Sequence, residues 1–305
     1  MPLLRLLKLF QKTTNSLARL FVLFLILGGV GFYEEALASP PAKNVPIIAI
    51  GGAVTETIYA LGAGDQLIGR DTTSIYPAAA TQLPDIGYMR TLPAEGILSL
   101  APKAVLAIEG SGPPSTITMV KQAGIPIIDV PEAYDQEGVI RKINIIAQAL
   151  GKENEAQALT KAINEGFKAN EALVANITKP KRVLFLLSVQ NGRAIAAGRG
   201  TPPDALIKLA GAVNVVNQFQ GFKPINDEAL VTAAPDAILF MGNGGLPITS
   251  NDILAMPSLA YSPAAKNHAL LKIDAMYFLG FGPRSAQAVH ELITMLYGTE
   301  LSKER

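Results

Sequence analysis

The sequence has no cysteine, no tryptophan and only two histidines among 305 residues. Without cysteine, the chain has no disulfide, no thiolate metal site and no lipid-modified N-terminal cysteine. His268 and His290 lie in separate segments and form no cluster for zinc, which favours nitrogen and sulfur ligands. Surface or helix-packing roles suit both better than metal ligation.

Familiar enzyme motifs are missing as well. Neither Gly-x-Ser-x-Gly nor His-Glu-x-x-His occurs, and Walker-type spacing is absent. Gly62-Ala63-Gly64 and Gly198-Arg199-Gly200 lack the remaining glycines of a dinucleotide fingerprint. We interpret these glycines as turns and helix ends. So sparse a set of acid, base and nucleophile candidates argues against an enzyme.

Residues 1–38 have the composition of a secretory signal peptide. Four basic residues precede an uncharged 14-residue run from Leu20 to Tyr33, and Ala36-Leu37-Ala38 supplies small residues before Ser39. This run is shorter than the roughly 20 apolar residues needed to span a bilayer. We therefore expect cleavage before Ser39 and a mature protein in the periplasm.

The mature chain is almost neutral. Of the 26 Lys+Arg and 25 Asp+Glu, four and two lie in residues 1–38, which leaves 22 and 23 in the remaining 267 residues. No basic stripe predicts binding to nucleic acid. The length suits one large domain or two of ordinary size.

Short apolar runs alternate with helical segments twice along the mature chain, once in residues 39–133 and again in residues 180–305. The predicted strands are Val45–Ile50, Leu67–Gly69, Ala104–Ile108 and Pro126–Val130, then Val183–Leu187, Ala194–Ala197, Ala237–Met241 and Leu270–Ile273. Strands alternating with helices predict an N-terminal and a C-terminal α/β lobe, each with a mainly parallel sheet.

The two predicted lobes share an internal repeat. The segment Glu95–Ile108 resembles Glu228–Met241, because in each a proline (Pro102 or Pro235) follows the glutamate by seven residues and precedes a strand-like run. Chance similarity between two common helix–strand units is the alternative. Two similar lobes explain the repeat more simply.

Residues 134–179 connect the two lobes and predict a long amphipathic helix. Apolar residues recur at helical spacing from Val139 to Leu150 and, after an interruption at Gly151, from Ala156 to Val174. A helix of about 25 residues would measure about 38 Å. Because a flexible Gly/Ser linker is missing, we expect a bilobed clamp with limited opening.

The segment Leu83–Arg90 places a phenol two residues before a guanidinium. In an extended loop, residues i and i+2 point the same way, so Tyr88 and Arg90 are expected to share a cleft wall. Tyrosine is a known axial haem ligand, and an arginine can favour the ionised phenol or pair with a haem propionate. An exposed loop tyrosine beside a surface arginine is the alternative.

Glu95 and Glu228 occupy equivalent positions of the repeat. They are therefore expected far apart on one rim, which excludes a shared acid–base role. Separated surface acids suit arginines of a partner that straddles both lobes. Stabilisation of a helix N-terminus by each carboxylate is the alternative, and both roles are compatible.

Several motifs along essentially the whole mature chain together resemble one family. They are Ile48–Glu56, Leu61–Asp65, Gly69–Pro77, Leu83–Arg90, Ala197–Thr201 and Gly280–Arg284. With them, the chain resembles the haemin-binding periplasmic substrate-binding proteins of bacterial haem ABC importers, within the cobalamin/siderophore-binding superfamily.

This resemblance implies a class III periplasmic binding protein, in which a long rigid helix joins two Rossmann-like lobes and ferric haem b binds in the cleft. It implies that Tyr88 is the axial iron ligand and that Arg90 assists through the phenolate or a propionate. It further implies that Glu95 and Glu228 dock onto arginines of an inner-membrane ABC permease, with an outer-membrane haem receptor upstream.

From the second lobe, the resemblance implies that Val189–Thr201 faces the haem, with Arg193 and Arg199 as polar contacts. It implies that Met241–Leu246 forms another part of this wall. Some relatives have a histidine before Ala-Gly-Arg and hold a second stacked haem. Because Leu187–Arg193 has no histidine, we expect one five-coordinate haem.

We therefore expect a monomeric periplasmic protein that captures ferric haem and delivers it to a permease without bond-making chemistry. Tyr76 is a second candidate phenol for the iron. The nearest rival function is binding of cobalamin or a ferric siderophore on the same fold. A periplasmic haem-modifying enzyme and an interaction module without a small ligand are further alternatives.

Overall fold

A computed structural model describes residues 45–190, 193–241 and 249–301. The predicted signal peptide lies outside the described residues, as does the 242–246 part of the predicted second-lobe wall. Within the described ranges, no helix combines the length and the apolar character needed to cross a membrane.

The first sheet has four parallel strands in the order β2-β1-β3-β4. Its strands are Ile47–Ile50 (β1), Leu67–Arg70 (β2), Ala104–Ile108 (β3) and Ile127–Val130 (β4). The helices between them are Gly52–Ala60 (α1), Ala94–Leu98 (α2) and Pro114–Gln122 (α3), with 3₁₀ turns at Gly64–Gln66 and Ala78–Gln82. Every residue of β1 and β3 is buried, as expected for apolar strands covered on both faces.

The second sheet repeats this plan and adds two antiparallel strands. Its strands are Arg182–Gln190 (β5), Arg193–Ala197 (β6), Val213–Asn214 (β7), Phe222–Ile225 (β8), Ala237–Met241 (β9) and Leu270–Ile273 (β10). The parallel series β7-β5-β9-β10 corresponds to β2-β1-β3-β4, while β6 and β8 extend the sheet from β5 in antiparallel fashion. This arrangement confirms the predicted α/β fold class.

The helices of the second lobe are short except for the last one. They are Pro202–Leu209 (α6), Asp227–Ala233 (α7), Ser250–Leu254 (α8), Pro257–Ala260 (α9), Pro263–Lys266 (α10), Ala275–Leu279 (α11) and Ser285–Leu301 (α12). The sequence pattern missed β7 and β8. β7 has only two residues, and β8 contains a proline and has only one buried residue, so neither gives an apolar run.

The internal repeat extends to the backbone conformation. Helix α2 leads into β3, and α7 leads into β9, and both strands lie inside their sheets. In each unit the residue before the proline has a positive φ, 46° at Ala101 and 38° at Ala234. Positive φ is uncommon for a residue with a Cβ atom. Its recurrence at equivalent positions argues against chance similarity of the two segments.

The segment that connects the two sheets contains two helices rather than one, Gln136–Leu150 (α4) and Glu153–Val174 (α5). Asp135 caps α4 by accepting a hydrogen bond from the Gly138 amide at 2.6 Å. Gly151 ends α4 with a φ of 64°, a left-handed conformation that glycine adopts without the cost of a Cβ atom. At 22 residues, α5 is about 33 Å long.

One apolar core runs through both sheets and the connecting helices. It includes Ile48 of β1, Ile146 of α4, Phe167 of α5, Val183 of β5 and Leu292 of α12, all buried. A second cluster lies on the other face of the second sheet. The two sheets therefore share one apolar core with the connecting helices and are not joined by a flexible linker alone.

A buried lysine joins α4 to the chain that follows α11. Lys142 is 1% exposed, and its Nζ donates a hydrogen bond to the Phe281 carbonyl oxygen at 3.1 Å. The Phe281 ring packs on Tyr134, with a distance of 5.3 Å between ring centroids. Burial lowers the pKa of Lys142 to about 8, although the charges of Glu132 and Glu56 act to raise it.

This lysine gives a pH dependence to stability. Because its pKa falls from 10.5 to about 8 on folding, the folded state binds fewer protons than the unfolded state between those pH values. The free energy of unfolding should therefore rise with pH in this window, by at most about 3 kcal/mol from this group. The cost of the buried ammonium is fully present below pH 8.

Denaturant unfolding of the wild type and a Lys142→Met variant at pH 7.5 and 9.5 measures this effect. The wild type should gain stability relative to the variant at the higher pH. Both measurements stay below the range in which Tyr134, whose pKa burial raises to about 12, contributes with the opposite sign. A difference in stability that is independent of pH would contradict the prediction.

Candidate functional site

The candidate residues of the first lobe lie just beyond the carboxyl ends of its strands. Gly51 follows β1, Asp71 follows β2, Glu109 follows β3, and Glu132 lies shortly after β4. In open parallel sheets, ligands bind at this edge. The loop that contains Tyr88 extends from the same edge, so the fold places the candidate phenol at the usual position of a ligand site.

A buried carboxylate organises the loop after β2. Asp71 is fully buried and accepts hydrogen bonds from the amides of Gly51 at 2.9 Å and Thr73 at 3.0 Å. It also accepts bonds from the hydroxyls of Thr73 at 2.7 Å and Ser74 at 2.6 Å. Four donors on one carboxylate fix the loop relative to the start of α1.

The Tyr88 loop is attached to this fixed segment. The Thr72 amide donates to the Gly87 carbonyl at 3.0 Å. Asp85 accepts hydrogen bonds from the Arg70 guanidinium at 2.7 Å, the Gly87 amide at 2.9 Å and the Thr72 hydroxyl at 3.1 Å. Gly87 has a φ of 103°, which a residue with a side chain rarely adopts. The backbone directly before Tyr88 is therefore held by β2 and the loop after it.

The Tyr88 side chain itself is exposed and makes no hydrogen bond within the described part of the chain. It is 46% exposed, and its hydroxyl has no hydrogen-bond partner among the described residues. Arg90, on the same loop, is also exposed. Its guanidinium donates to the Gly110 carbonyl at 3.2 Å and lies 3.7 Å from a Glu132 carboxylate oxygen. A fixed backbone thus presents a free phenol and a loosely held cation at one edge of the sheet.

A third phenol lies beside this cation and differs from Tyr88. Burial, together with the charge of Glu132 and a hydrogen bond to it, raises the pKa of Tyr134 to about 12, and the nearby Arg90 only partly offsets this. Glu109 accepts a hydrogen bond from the Glu132 amide at 3.1 Å. Tyr134 therefore stays protonated and is a poor anionic ligand. Sequence reasoning missed this acidic group, because its members follow different strands.

Tyr76, the second candidate phenol, has a contact that the sequence did not predict. Its ring lies 3.5 Å from the guanidinium carbon of Arg284, whose side chain is paired with Glu56 at 2.8 Å. The ring of Tyr277 lies 4.8 Å from the same guanidinium. These residues are distant in sequence, so no local pattern connects them. Their contact brings the loop after β2 together with helix α11.

Exposed apolar side chains adjoin this contact. Ile75 and Tyr76 on the first-lobe loop, and Met276 next to Tyr277, are all more than a third exposed. These side chains present apolar surface to the solvent. A flat, mostly apolar ligand needs such a surface.

The two arginines predicted to contact the ligand from the second lobe lie at opposite ends of β6. Arg193 pairs with Gln190 at the carboxyl end of β5, while Arg199 lies beyond the other end of β6, bridged to Gln220. Six extended residues separate their Cα atoms by about 20 Å. The structure therefore does not bring them together. Arg199 lies near the amino end of β5, whereas Arg193 lies near its carboxyl end. Residues 191–192 lie outside the described part.

Glu95 and Glu228 are exposed, each in the first turn of its helix, α2 and α7. This placement agrees with both roles inferred from the sequence, docking and stabilisation by the helix dipole. No cluster of three or more His, Cys, Asp or Glu side chains suited to a metal ion occurs within the described ranges.

A groove of about 550 Å³ between α5 and α12 lies away from this edge of the first sheet. Its lining includes His290, whose Nδ1 lies 3.1 Å from the amide oxygen of the buried Asn170. Asn170 in turn donates to the Ala286 carbonyl at 2.7 Å. These contacts give His290 a helix-packing role.

Comparison with known proteins gives a consistent result. The sequence profile of the family described as periplasmic binding protein matches residues 47–277. Among solved structures, the chain is similar to the periplasmic haem-binding protein BhuT in complex with two haems. The identity is 39% and the TM-score 0.78, and the match covers 83% of this chain and 98% of BhuT.

Two curated relatives match at lower identity. YvrC of Bacillus subtilis, an uncharacterised ABC transporter substrate-binding lipoprotein, is 28% identical over 290 residues, which is 94% of this chain and 90% of YvrC. The vitamin B12-binding protein of Vibrio cholerae is 22% identical over 266 residues, which is 87% of this chain and 94% of that protein.

Proposed function

Because this chain belongs to the periplasmic binding protein family, we propose that it binds ferric haem and delivers it to an ABC permease in the inner membrane. The observation that carries this proposal is the Tyr88 phenol, exposed and without a hydrogen-bond partner among the described residues, on a loop with a fixed backbone. The similarity to a haem-binding protein at 39% identity supports it.

Tyr88 would act as the axial ligand. Ferric iron is a strong local positive charge, and coordination to it favours the ionised phenol. Arg90 brings a positive charge to the same loop, and Glu132, 3.7 Å from its guanidinium, partly offsets that charge. The phenol needs no rearrangement to bind, because no internal hydrogen bond within the described part of the chain has to be broken first.

Arg90 has a second proposed role at the porphyrin edge. Its contact with Glu132 is long, at 3.7 Å, and half of its side chain is exposed. An exposed ion pair of this kind contributes little. A haem propionate can therefore compete for the guanidinium. Arg193, at the carboxyl edge of the second sheet, is a further proposed propionate contact, while Arg199 is too distant to share that edge.

Burial of the porphyrin would supply much of the affinity. Apolar surface removed from water contributes about 25 cal/mol per Å². Ile75 from the first lobe and Met276 from the second present such surface. We propose one haem per chain, because Leu187–Arg193 contains no histidine to ligate a second iron. The two haems bound to BhuT make stoichiometry a direct test of this point.

Cobalamin is the second candidate ligand, favoured by the similarity to the vitamin B12-binding protein. In that case the phenol of Tyr88 would have no iron to bind and its exposure would be incidental. Haem is preferred here because it uses the free phenol and the adjacent cation together. No bond-making step is proposed, and the periplasm is the proposed location, since the predicted signal peptide would direct export.

The Tyr88→Phe variant tests whether the Tyr88 hydroxyl binds the iron, because it removes the hydroxyl and keeps the ring. Titration of the purified protein with ferric haem should give a saturable change with phenolate-to-iron absorption bands. The bands should disappear in the variant, and the affinity should fall by at least about tenfold, equivalent to about 1.4 kcal/mol.

The matched control is Tyr261→Phe, which alters a tyrosine that is 81% exposed in the second lobe. It should bind haem as the wild type does. If Tyr88→Phe kept both the bands and the affinity, haem would remain the ligand but Tyr88 would be rejected as its axial residue. No saturable change with the wild type would reject haem.

The docking proposal is tested by removing both exposed carboxylates. The double variant Glu95→Ala/Glu228→Ala should bind ligand normally but should deliver it poorly to membranes that contain the cognate permease, because partner arginines lose their acidic contacts. Transfer of bound ligand into such vesicles is the measurement. Glu165→Ala, at an exposed position of α5, is the control, and unimpaired transfer by the double variant would contradict the proposal.

A further inference from the structure

The segment Gly280–Arg284 was conspicuous in the sequence but has no part in the proposed ligand contacts. Gly280 ends α11 at a position where a side chain would clash with that helix, and Gly282 contacts the first lobe. A Cβ atom at Gly280 would lie 2.5 Å from the Met276 carbonyl oxygen, and one at Gly282 would lie 3.4 Å from Ala53 of α1. Real Cβ atoms do not approach backbone as closely as the first of these distances. The contact between Gly282 and Ala53 is an ordinary van der Waals contact, and it places the segment against α1 of the first lobe.

Arg284 ends this segment and is anchored to the first lobe by an ion pair. One Glu56 oxygen accepts a hydrogen bond from the Arg284 amide at 3.1 Å, and the other accepts from its Nη2 at 2.8 Å. The Glu56 side chain is only 9% exposed. Charge-assisted bonds in so buried a place hold the guanidinium in one orientation.

The anchored guanidinium supports an otherwise exposed aromatic ring. Its carbon lies 3.5 Å from the ring of Tyr76, well within the range of a cation–π contact, and the planar group also faces Tyr277. Tyr76 is 45% exposed. Arg284 is therefore a major contact of this tyrosine on the far side of the interlobe junction.

Tyr76 ends the loop to which the candidate iron ligand is attached. This loop after β2 begins at the buried Asp71. Its second residue, Thr72, donates hydrogen bonds to Gly87 and Asp85, which precede Tyr88 on the neighbouring loop. One end of the loop is thus fixed by Asp71 within the first lobe. The other end is held by Arg284 through Tyr76.

We propose that Arg284 and Tyr76 are positioning residues for the Tyr88 loop. In this arrangement the ring of Tyr76 serves as a platform on Arg284, and its hydroxyl has no role at the iron. The segment Gly280–Arg284 connects the loop that carries the ligand residue to the second lobe. This inference rests on the proposed haem function only for its binding readout, since the positioning itself is a property of the ligand-free protein.

Hydrogen exchange in the ligand-free protein tests the positioning directly. Tyr76→Ala removes the platform and leaves the buried Glu56–Arg284 pair intact, so the fold should persist. Amide exchange in residues 71–76 and 84–88 should then become at least about tenfold faster, and exchange in β9 should not change. Tyr76→Phe keeps the ring and should exchange like the wild type. Equal exchange in Tyr76→Ala and the wild type would overturn the proposal.

Haem titration of the same variants gives the functional readout. Tyr76→Ala and Arg284→Ala should bind haem about tenfold more weakly, with altered phenolate-to-iron bands, and Arg284→Lys should be intermediate because it keeps the charge without the planar group. Tyr76→Phe should match the wild type in affinity and bands. Loss of the bands in Tyr76→Phe would make Tyr76 the iron ligand and overturn its positioning role.

The two proposals fail in distinguishable ways. Wild-type protein that does not bind haem would reject the proposed function, while faster exchange in Tyr76→Ala would still support the positioning role. Wild-type binding with phenolate bands, together with unchanged exchange in Tyr76→Ala, would keep the function and reject the positioning role. Arg284→Ala is interpreted only if exchange in β9 shows that its fold is retained.

Discussion

The apolar core shared by the two sheets and the connecting helices is the constraint on which the rest of the structure depends. Because Ile48, Phe167 and Leu292 belong to one buried cluster, the lobes cannot separate widely without exposing it. Buried hydrogen bonds from Lys142 to the Phe281 carbonyl and from Arg284 to Glu56 add polar contacts at the same junction. The shared core and these polar contacts together fix one lobe relative to the other.

The polar groups of the candidate site differ in whether they already have a hydrogen-bond partner. Asp71 and Asp85 use their carboxylates to fix loop backbone, and Tyr134 is held protonated beside Glu132. Tyr88 alone among these side chains has an exposed terminal group without a partner within the described part of the chain. Affinity therefore needs little reorganisation of the loop, because the cost of ordering its backbone is met in the ligand-free fold.

Local sequence patterns predicted much of this architecture. Buried runs such as Ala104–Ile108 and Ala237–Met241 were predicted with correct bounds, since parallel strands covered on both faces are continuously apolar. The antiparallel β8 and the break at Gly151 were harder to predict, because an exposed strand lacks an apolar run and one glycine only sometimes ends a helix. The spacing of Tyr88 and Arg90 predicted an extended loop, but residues 88–91 form a turn, in which the Thr91 amide donates to the Tyr88 carbonyl at 2.8 Å. The contact of Arg284 with Glu56 and Tyr76 depends on tertiary structure alone, because these residues are distant in sequence.

We propose that the exposed phenol of Tyr88 at the sheet edge selects a ferric porphyrin over cobalamin. Equilibrium titration of the wild-type protein with ferric haem and with cobalamin, under identical conditions, tests it most directly. We expect saturable one-to-one binding of haem with phenolate-to-iron bands and much weaker binding of cobalamin. Saturable binding of cobalamin without a comparable response to haem would contradict it.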